Sequence, residues 1–367
     1  MIKIRSNVPL AQYTYYKIGG KARYFCEIST QINTDTQADQ HRYYQDLIDA
    51  LNWAEEKGLP VFVLGGGTNI LVSDKGFEGL VIKMKSEKLK VKSQSSKFKI
   101  DNNKITISAG TKLADIVSVS LKHGLSGLEW AAGIPGTVGG AVRGNAGAFE
   151  GEMSSVIESI VAVCHSEAKP KNLINNEILP LHRTVQGQDD EKTKSLRVAS
   201  HGLRVKKLIN KQCKFGYRTS IIKEQGGIVL SAVFALKKLK IKSEKLKIIE
   251  EAKNHIKYRK ERHPLEYPSC GSTFKNVNIG DIGDIGLIGH IGEIIPAGLL
   301  IAKAGLSGKR MGDAQISEKH SNFIVNLGKA KASDVYELIQ LCQKEVYEKF
   351  GVKLEREVEL VGFADQR

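Results

Sequence analysis

The sequence predicts a mixed fold, α/β or α+β, on three observations. Strand-like and helix-like segments alternate through the first two thirds of the chain. Glycine-rich turns follow short apolar runs, as loops leaving buried strands do. The last third changes character, with two long helix candidates and an alternating terminal segment. The chain has 367 residues, 41% hydrophobic and 26% charged, which is enough to bury a core and predicts two domains.

The elements follow in order. Residues 43–57 carry Leu47, Ile48, Leu51 and Ala54 at helical spacing and stop at Gly58. Residues 60–64 read as a buried strand running into Gly65, Gly66 and Gly67. Residues 80–83 and 105–108 are strand-like, and 113–122 are helix-like up to Gly124. Residues 156–163 and 228–236 are β-branched strand candidates. Residues 246–262 form a basic helix candidate, and 332–350 an amphipathic one closed by Gly351. Residues 353–360 alternate, with Leu354, Arg356, Val358 and Leu360 on one face and Glu355, Glu357 and Glu359 on the other.

Composition excludes several classes. The net charge is +15, but residues 83–104, 167–212 and 237–247 hold net +6, +5 and +5, leaving the rest near neutral. These segments are poor in aromatic residues for base stacking, so they read as solvated loops and no nucleic-acid partner is expected. No apolar run nears the ~18 residues of a membrane span, and no secretory h-region is visible. Cys26, Cys164, Cys213, Cys270 and Cys342 are scattered without a CxxC pair, which predicts free thiols, no metal site and a cytoplasmic location.

Three stretches look inserted. Residues 167–212 are polar and poorly patterned, residues 279–293 repeat every third position (IGDIGDIGLIGHIGE), and KSEKLK occurs at both 85–90 and 242–247. The glycine content of the repeat argues for a loop.

Five segments carry the candidate chemistry. LGGGTNILVSD offers Gly65, Gly66, Gly67, Thr68 and Asn69 after a strand, where bare backbone N–H groups can meet a phosphate. A plain glycine turn explains it equally well. AAGIPGTVGGAVRGNAG crowds Gly133, Ile134, Pro135, Gly136, Gly139, Gly140, Asn145 and Gly147 into one packed loop. Two such segments in one domain suggest a single large phosphate-bearing cofactor. CKFGYRTSIIK sets Arg218, a natural carboxylate or phosphate partner, beside Tyr217. PSCGSTFKN presents Ser272 in a turn, with Lys275 and Asn276 after it. LEREVELVGF places Glu357 on a polar face that is either solvated or the lining of a cleft.

Together with NVPLAQYTYYKIGGKA and KHSNFIVN, these segments resemble the UDP-N-acetylenolpyruvoylglucosamine reductase family, in its order and over nearly the whole chain. The resemblance implies an α+β protein made of α/β lobes. It would comprise an FAD-binding domain of the vanillyl-alcohol-oxidase type, residues 1–225, and a substrate domain, residues 226–367. It implies FAD and NADPH as cofactors, a UDP-sugar enolpyruvyl ether as substrate, and a monomer without membrane or nucleic-acid partners. By similarity Arg218 polarises the substrate carboxylate, Ser272 protonates the carbon beside the one that receives hydride, and Glu357, not Glu355, stabilises the enolate-like charge. The glycine-rich residues named above would contact FAD, and Tyr217, Lys275 and Asn276 the substrate. The chain lacks an extra tyrosine-bearing loop of the enterobacterial kind and so resembles the shorter second subtype. A flavin dehydrogenase of the same fold with another substrate is the alternative.

Overall fold

A computed structural model describes residues 2–29, 37–85, 98–165, 196–197, 203–278 and 294–363. The amino-terminal lobe is a four-stranded sheet ordered Arg5–Pro9, Lys21–Ser29, Phe77–Lys85, Val61–Leu64. Its first pair is antiparallel and the other two are parallel. Parallel strands need a covered crossover. Helix Gln37–Glu56 supplies one, burying Leu47, Ala50, Leu51 and Ala54 against Ile28, Leu80 and Ile82.

The second lobe is a six-stranded antiparallel sheet. Its order is Leu196–Arg197, Leu203–Ile209, Ile157–His165, Ile228–Ala235, Lys104–Ser108, Phe98–Asp101. Helices Leu113–Lys122 and Val138–Arg143 contribute Leu113, Ile116, Val138 and Val142 to the core that this sheet shares with Trp130 and Phe234. Two expectations change here. Leu203–Ile209, inside the segment read as inserted, pairs along its length with Ile157–His165, so the end of 167–212 is a structural strand. A division after residue 225 does not follow the sheet either, because Ile228–Ala235 is an interior strand of it. Val229, Ala232 and Phe234 are buried in the same core, and burial of one large apolar side chain is worth roughly 1.5–3 kcal/mol. Residues 166–195, 198–202, 86–97 and the repeat 279–293 lie outside the described residues.

Helix Lys242–Arg262 starts four residues before its predicted beginning and absorbs the second KSEKLK copy. Lys, Glu and Leu are good helix formers, and the Lys245 stem lies over Gly124. This copy is therefore helical and not a loop.

The carboxy-terminal part is a three-stranded sheet, Arg310–Met311, Ala314–Ile316 and Ile324–Asn326, packed on helices Ala297–Lys303 and Ala332–Phe350. The predicted strand over 353–360 shrinks to Glu359–Val361, although Val352, Leu354, Val358 and Leu360 are all buried. This last strand returns to the first lobe, pairing parallel with Ile70–Val72 just after the first glycine turn. All five cysteines are free and buried. Among the described residues no group of side chains could hold a metal ion, and no helix is long and apolar enough to cross a membrane.

Candidate active site

The two glycine-rich segments face each other across a cleft of about 1100 Å³, counting its open mouth. One wall is the turn at 65–69 that follows strand Val61–Leu64. The other is the amino-terminal end of helix Val138–Arg143, capped by Thr137 Oγ1, which accepts from Gly140 N at 3.4 Å. The walls meet without side chains between them. A Cβ on Gly66 would stand 2.7 Å from the Gly136 Cα, and one on Gly65 would stand 2.7 Å from Thr137 Oγ1. Gly67 takes φ +66° with the Tyr13 carbonyl directly against it, so the turn requires glycine there. Bare N–H groups in an apolar-backed cleft suit the phosphates of a dinucleotide.

The residues expected to meet the cofactor fall in two groups about this cleft. Gly65, Gly66, Gly67, Thr68, Asn69, Gly139 and Gly140 line this cleft; Gly133, Ile134, Pro135, Gly136, Asn145 and Gly147 do not. Asn145 is buried, and its carboxamide is spent inside the protein, donating to Glu152 and to the Gly216 carbonyl and accepting from Ser154 N. Gly147 pairs with Glu152 in a short ribbon, where a Cβ would strike the Gly151 carbonyl. Ile134 packs on the core of the second lobe.

One end of the cleft opens on charged residues. Arg143, Lys223 and Glu359 line it. Arg143 is ion-paired to Glu359 Oε1, and Lys223 Nζ is 3.8 Å from the same oxygen. Beside them Arg218 Nε lies 2.8 Å from Glu357 Oε1. Burial raises the Glu357 pKa, while the Arg218, Lys223 and Lys275 charges pull it back. The Lys223 ammonium is held below its ordinary pKa by burial, partly offset by Glu359. Glu357 is thus largely buried against Arg218 and not on an open, solvated face.

Backbone contacts bring the third member in. Glu357 N donates to the Thr273 carbonyl at 2.9 Å, and Lys275 N donates to the Glu355 carbonyl at 2.9 Å. Ser272 therefore sits one residue from the contact that seats Glu357. Its side chain is half-buried and makes no hydrogen bond among the described residues. The loop is clamped from behind by Asn322, whose carboxamide accepts from Phe274 N at 2.9 Å and donates to the Phe274 carbonyl at 2.8 Å. Asn69 joins the two halves of the site: its Nδ2 donates to the Glu357 carbonyl at 3.0 Å, and its own carbonyl accepts from Glu359 N.

Tyr217, Lys275 and Asn276 form an adjoining rim. Tyr217 Oη accepts from Asn276 N at 3.2 Å, and Lys275 Nζ pairs with Glu355 at 3.0 Å. Arg218 lies over the Tyr217 ring, 5.2 Å from its centroid. Sequence reasoning missed Arg143, Lys223, Glu359 and Asn322 as members of the site. Each lies inside a segment that drew notice, but the proximity of residues 143, 223 and 359 is purely tertiary.

A family profile described as UDP-N-acetylenolpyruvoylglucosamine reductase, C-terminal domain, matches residues 263–361, and one described as FAD binding domain matches residues 41–165. The UDP-N-acetylenolpyruvoylglucosamine reductase of Caldicellulosiruptor bescii is 37% identical over 362 residues, covering 98% of this chain and 91% of that protein. That of Clostridium novyi is 34% identical over 360 residues, covering 98% and 92%. The crystal structure of the Thermus caldophilus UDP-N-acetylenolpyruvylglucosamine reductase superposes with a TM-score of 0.66 at 29% identity, covering 98% of this chain and all of that one.

Proposed function

The chain belongs to the UDP-N-acetylenolpyruvoylglucosamine reductase family, and from that premise we propose how its own residues carry out the reaction. The protein is an FAD-dependent oxidoreductase of peptidoglycan precursor synthesis that reduces UDP-N-acetylglucosamine enolpyruvate to UDP-N-acetylmuramate. In this reading NADPH is the reductant. When bound, FAD supplies the hydride that adds to the vinyl carbon of the substrate.

The turn at 65–69 and the amino-terminal end of helix Val138–Arg143 hold the phosphates of FAD through backbone N–H groups, with Gly139 and Gly140 giving room. Hydride addition drives negative charge onto the carbon that bears the carboxylate, and from there onto the carboxylate oxygens. Arg218 is the cation placed to receive it. The substrate carboxylate shares the guanidinium with Glu357, and the half-buried Glu357 carboxyl steadies the enolate-like charge. Ser272 gives its proton to the carbon next to the one that receives hydride. A serine hydroxyl is a poor acid in water and acts here because the acceptor is electron-rich and close. Tyr217, Lys275 and Asn276 orient the UDP-sugar. The domains divide near residue 262, with the six-stranded sheet wholly in the first. The protein works as a cytoplasmic monomer, with no membrane or nucleic-acid partner.

The observation that carries this reading is the 2.8 Å Arg218–Glu357 pair, seated one residue from Ser272 and tied through the Glu357 carbonyl to Asn69 of the glycine cleft. The test separates the half-reactions without oxygen. Arg218→Lys is expected to bleach with NADPH as the wild type does, then to lose ~10²-fold or more in reoxidation by the UDP-enolpyruvyl sugar. Reoxidation at the wild-type rate would remove Arg218 from this role.

A further inference from the structure

Arg218 is held in an uncommon conformation. Its φ is +58°, in the left-handed region that a residue other than glycine rarely adopts. The turn around it is closed by only two backbone bonds, Gly216 N to the Thr219 carbonyl and Thr219 N to the Gly216 carbonyl, at 3.1 and 3.2 Å. Neither bond uses the N–H or the carbonyl of Arg218 itself. Such a backbone persists only where its surroundings determine it.

The group that meets Arg218 comes from five residues further on. Lys223 Nζ donates to the Arg218 carbonyl at 3.2 Å. The ammonium is itself seated, because Glu359 Oε1 lies 3.8 Å away and is also ion-paired to Arg143. The three side chains are only 22–24% exposed. Ser220 caps the single helical turn Ile221–Glu224 that carries Lys223, and its Oγ donates to the Arg143 carbonyl at 2.7 Å. A chain of direct contacts thus runs from the cofactor-cleft helix, through Ser220 and Lys223, to the backbone of the arginine that faces Glu357.

We propose that Lys223 is a positioning residue for Arg218, its ammonium fixing the Arg218 carbonyl so that the left-handed backbone aims the guanidinium at Glu357 and at the carboxylate of the substrate. The inference rests on the reading that Arg218 receives the substrate carboxylate. An ammonium suits the task because it has three donors, enough for the carbonyl and for Glu359 at once. An apolar side chain of the same length would leave the Arg218 carbonyl without that partner and Glu359 with one cation fewer.

The experiment is a double-mutant cycle on the FAD-loaded enzyme, with Lys223→Met, Arg218→Lys and the pair. Three quantities are read for each: FAD affinity of the deflavinated protein, the shift of the flavin spectrum on adding the UDP-enolpyruvyl sugar, and the rate at which that sugar reoxidises the reduced enzyme. Lys223→Met, loaded with saturating FAD, is expected to lose about 10–100-fold in reoxidation, the scale of a misplacement near 1 Å. In the Arg218→Lys background it is expected to add no further loss. Lys223→Arg, which keeps a cationic donor, is expected to restore most of the rate. A wild-type rate in Lys223→Met overturns the proposal. So does an equal loss with and without Arg218, because Lys223 then acts independently. If Lys223→Met fails to bind FAD, Lys223→Arg decides: an FAD-loaded enzyme that is inactive in reoxidation overturns the proposal, and an active one supports it. A wild-type rate in Arg218→Lys alone would instead sink the role of Arg218, and the two failures are told apart by the single variants.

Discussion

Replacing Asn322 by Ala should loosen the catalytic loop. Phe274 forms an antiparallel bridge with Arg356, but the bonds of that bridge are made by its neighbours, Lys275 N to Glu355 and Glu357 N to Thr273. The N–H and carbonyl of Phe274 point the other way, and the Asn322 carboxamide meets both, at 2.9 and 2.8 Å. Asn322 therefore does the work of a missing strand. Phe274 and Asn322 are 1% and 3% exposed, so water does not replace the lost partner. Each of the two orphaned buried groups costs about 1–3 kcal/mol, giving a destabilisation of roughly 2–6 kcal/mol. At about 1.3 °C per kcal/mol for a chain of this length the melting temperature falls by at least ~2.5 °C. The same loosening reaches Ser272, two residues upstream, and slows reoxidation by the UDP-enolpyruvyl sugar. Thermal melting and anaerobic stopped-flow measure the two effects. Asn322→Asp, which keeps the acceptor and loses the donor, should fall between Ala and wild type. A melting temperature within about 1 °C of wild type, with unchanged reoxidation, would refute the clamp.

Other outcomes follow from the same geometry. Gly66→Ala puts a methyl 2.7 Å from the Gly136 Cα and must part the two walls, at an overpacking cost of about 1–3 kcal/mol. The FAD dissociation constant of the deflavinated protein should then rise ~5–100-fold, and an unchanged constant would show that the close approach is irrelevant to the cofactor. Burial raises the Glu357 pKa above the ordinary carboxylate range, so the folded protein holds that proton more tightly than the unfolded chain. The stability this contributes is complete below the unfolded pKa and is lost as pH rises through the folded one. The melting temperature of Glu357→Gln, relative to wild type, should therefore climb as pH rises above the ordinary glutamate pKa; a flat difference contradicts the burial argument. Ser272→Ala should still bleach with NADPH but form no UDP-N-acetylmuramate, and full turnover would remove Ser272 from proton donation.

Much of the site was legible because its parts are local. Gly65, Gly66 and Gly67 follow a strand as written, and Arg218, Ser272 and Glu357 each sit in a distinctive short segment. Helix Ala332–Phe350 matches its predicted bounds because its apolar spacing and its terminal glycine agree. What sequence hid was non-local. Leu203–Ile209 is a strand only because Ile157–His165 lies beside it, and strand preference depends on such neighbours more than on composition. Its basic residues made it look like a loop. Ile228–Ala235 was read correctly as a strand, but its place between Ile157–His165 and Lys104–Ser108, which puts it inside the second-lobe sheet, was not legible. The charged cluster of Arg143, Lys223 and Glu359 joins three segments far apart in the chain. The Asn322 clamp is equally silent, since a lone Asn in KHSNFIVN carries no sign of the loop it holds.

In the proposed reaction electrons enter through bound FAD and leave to the enolpyruvyl double bond. The most direct test is the visible absorption spectrum of the purified protein without oxygen, taken before NADPH, after one equivalent of it, and after one equivalent of the UDP-enolpyruvyl sugar. A flavin spectrum that bleaches with NADPH and returns with the sugar, as UDP-N-acetylmuramate forms, is the predicted result. A protein that takes up no FAD, or a bleached flavin that the sugar leaves bleached, would contradict the account.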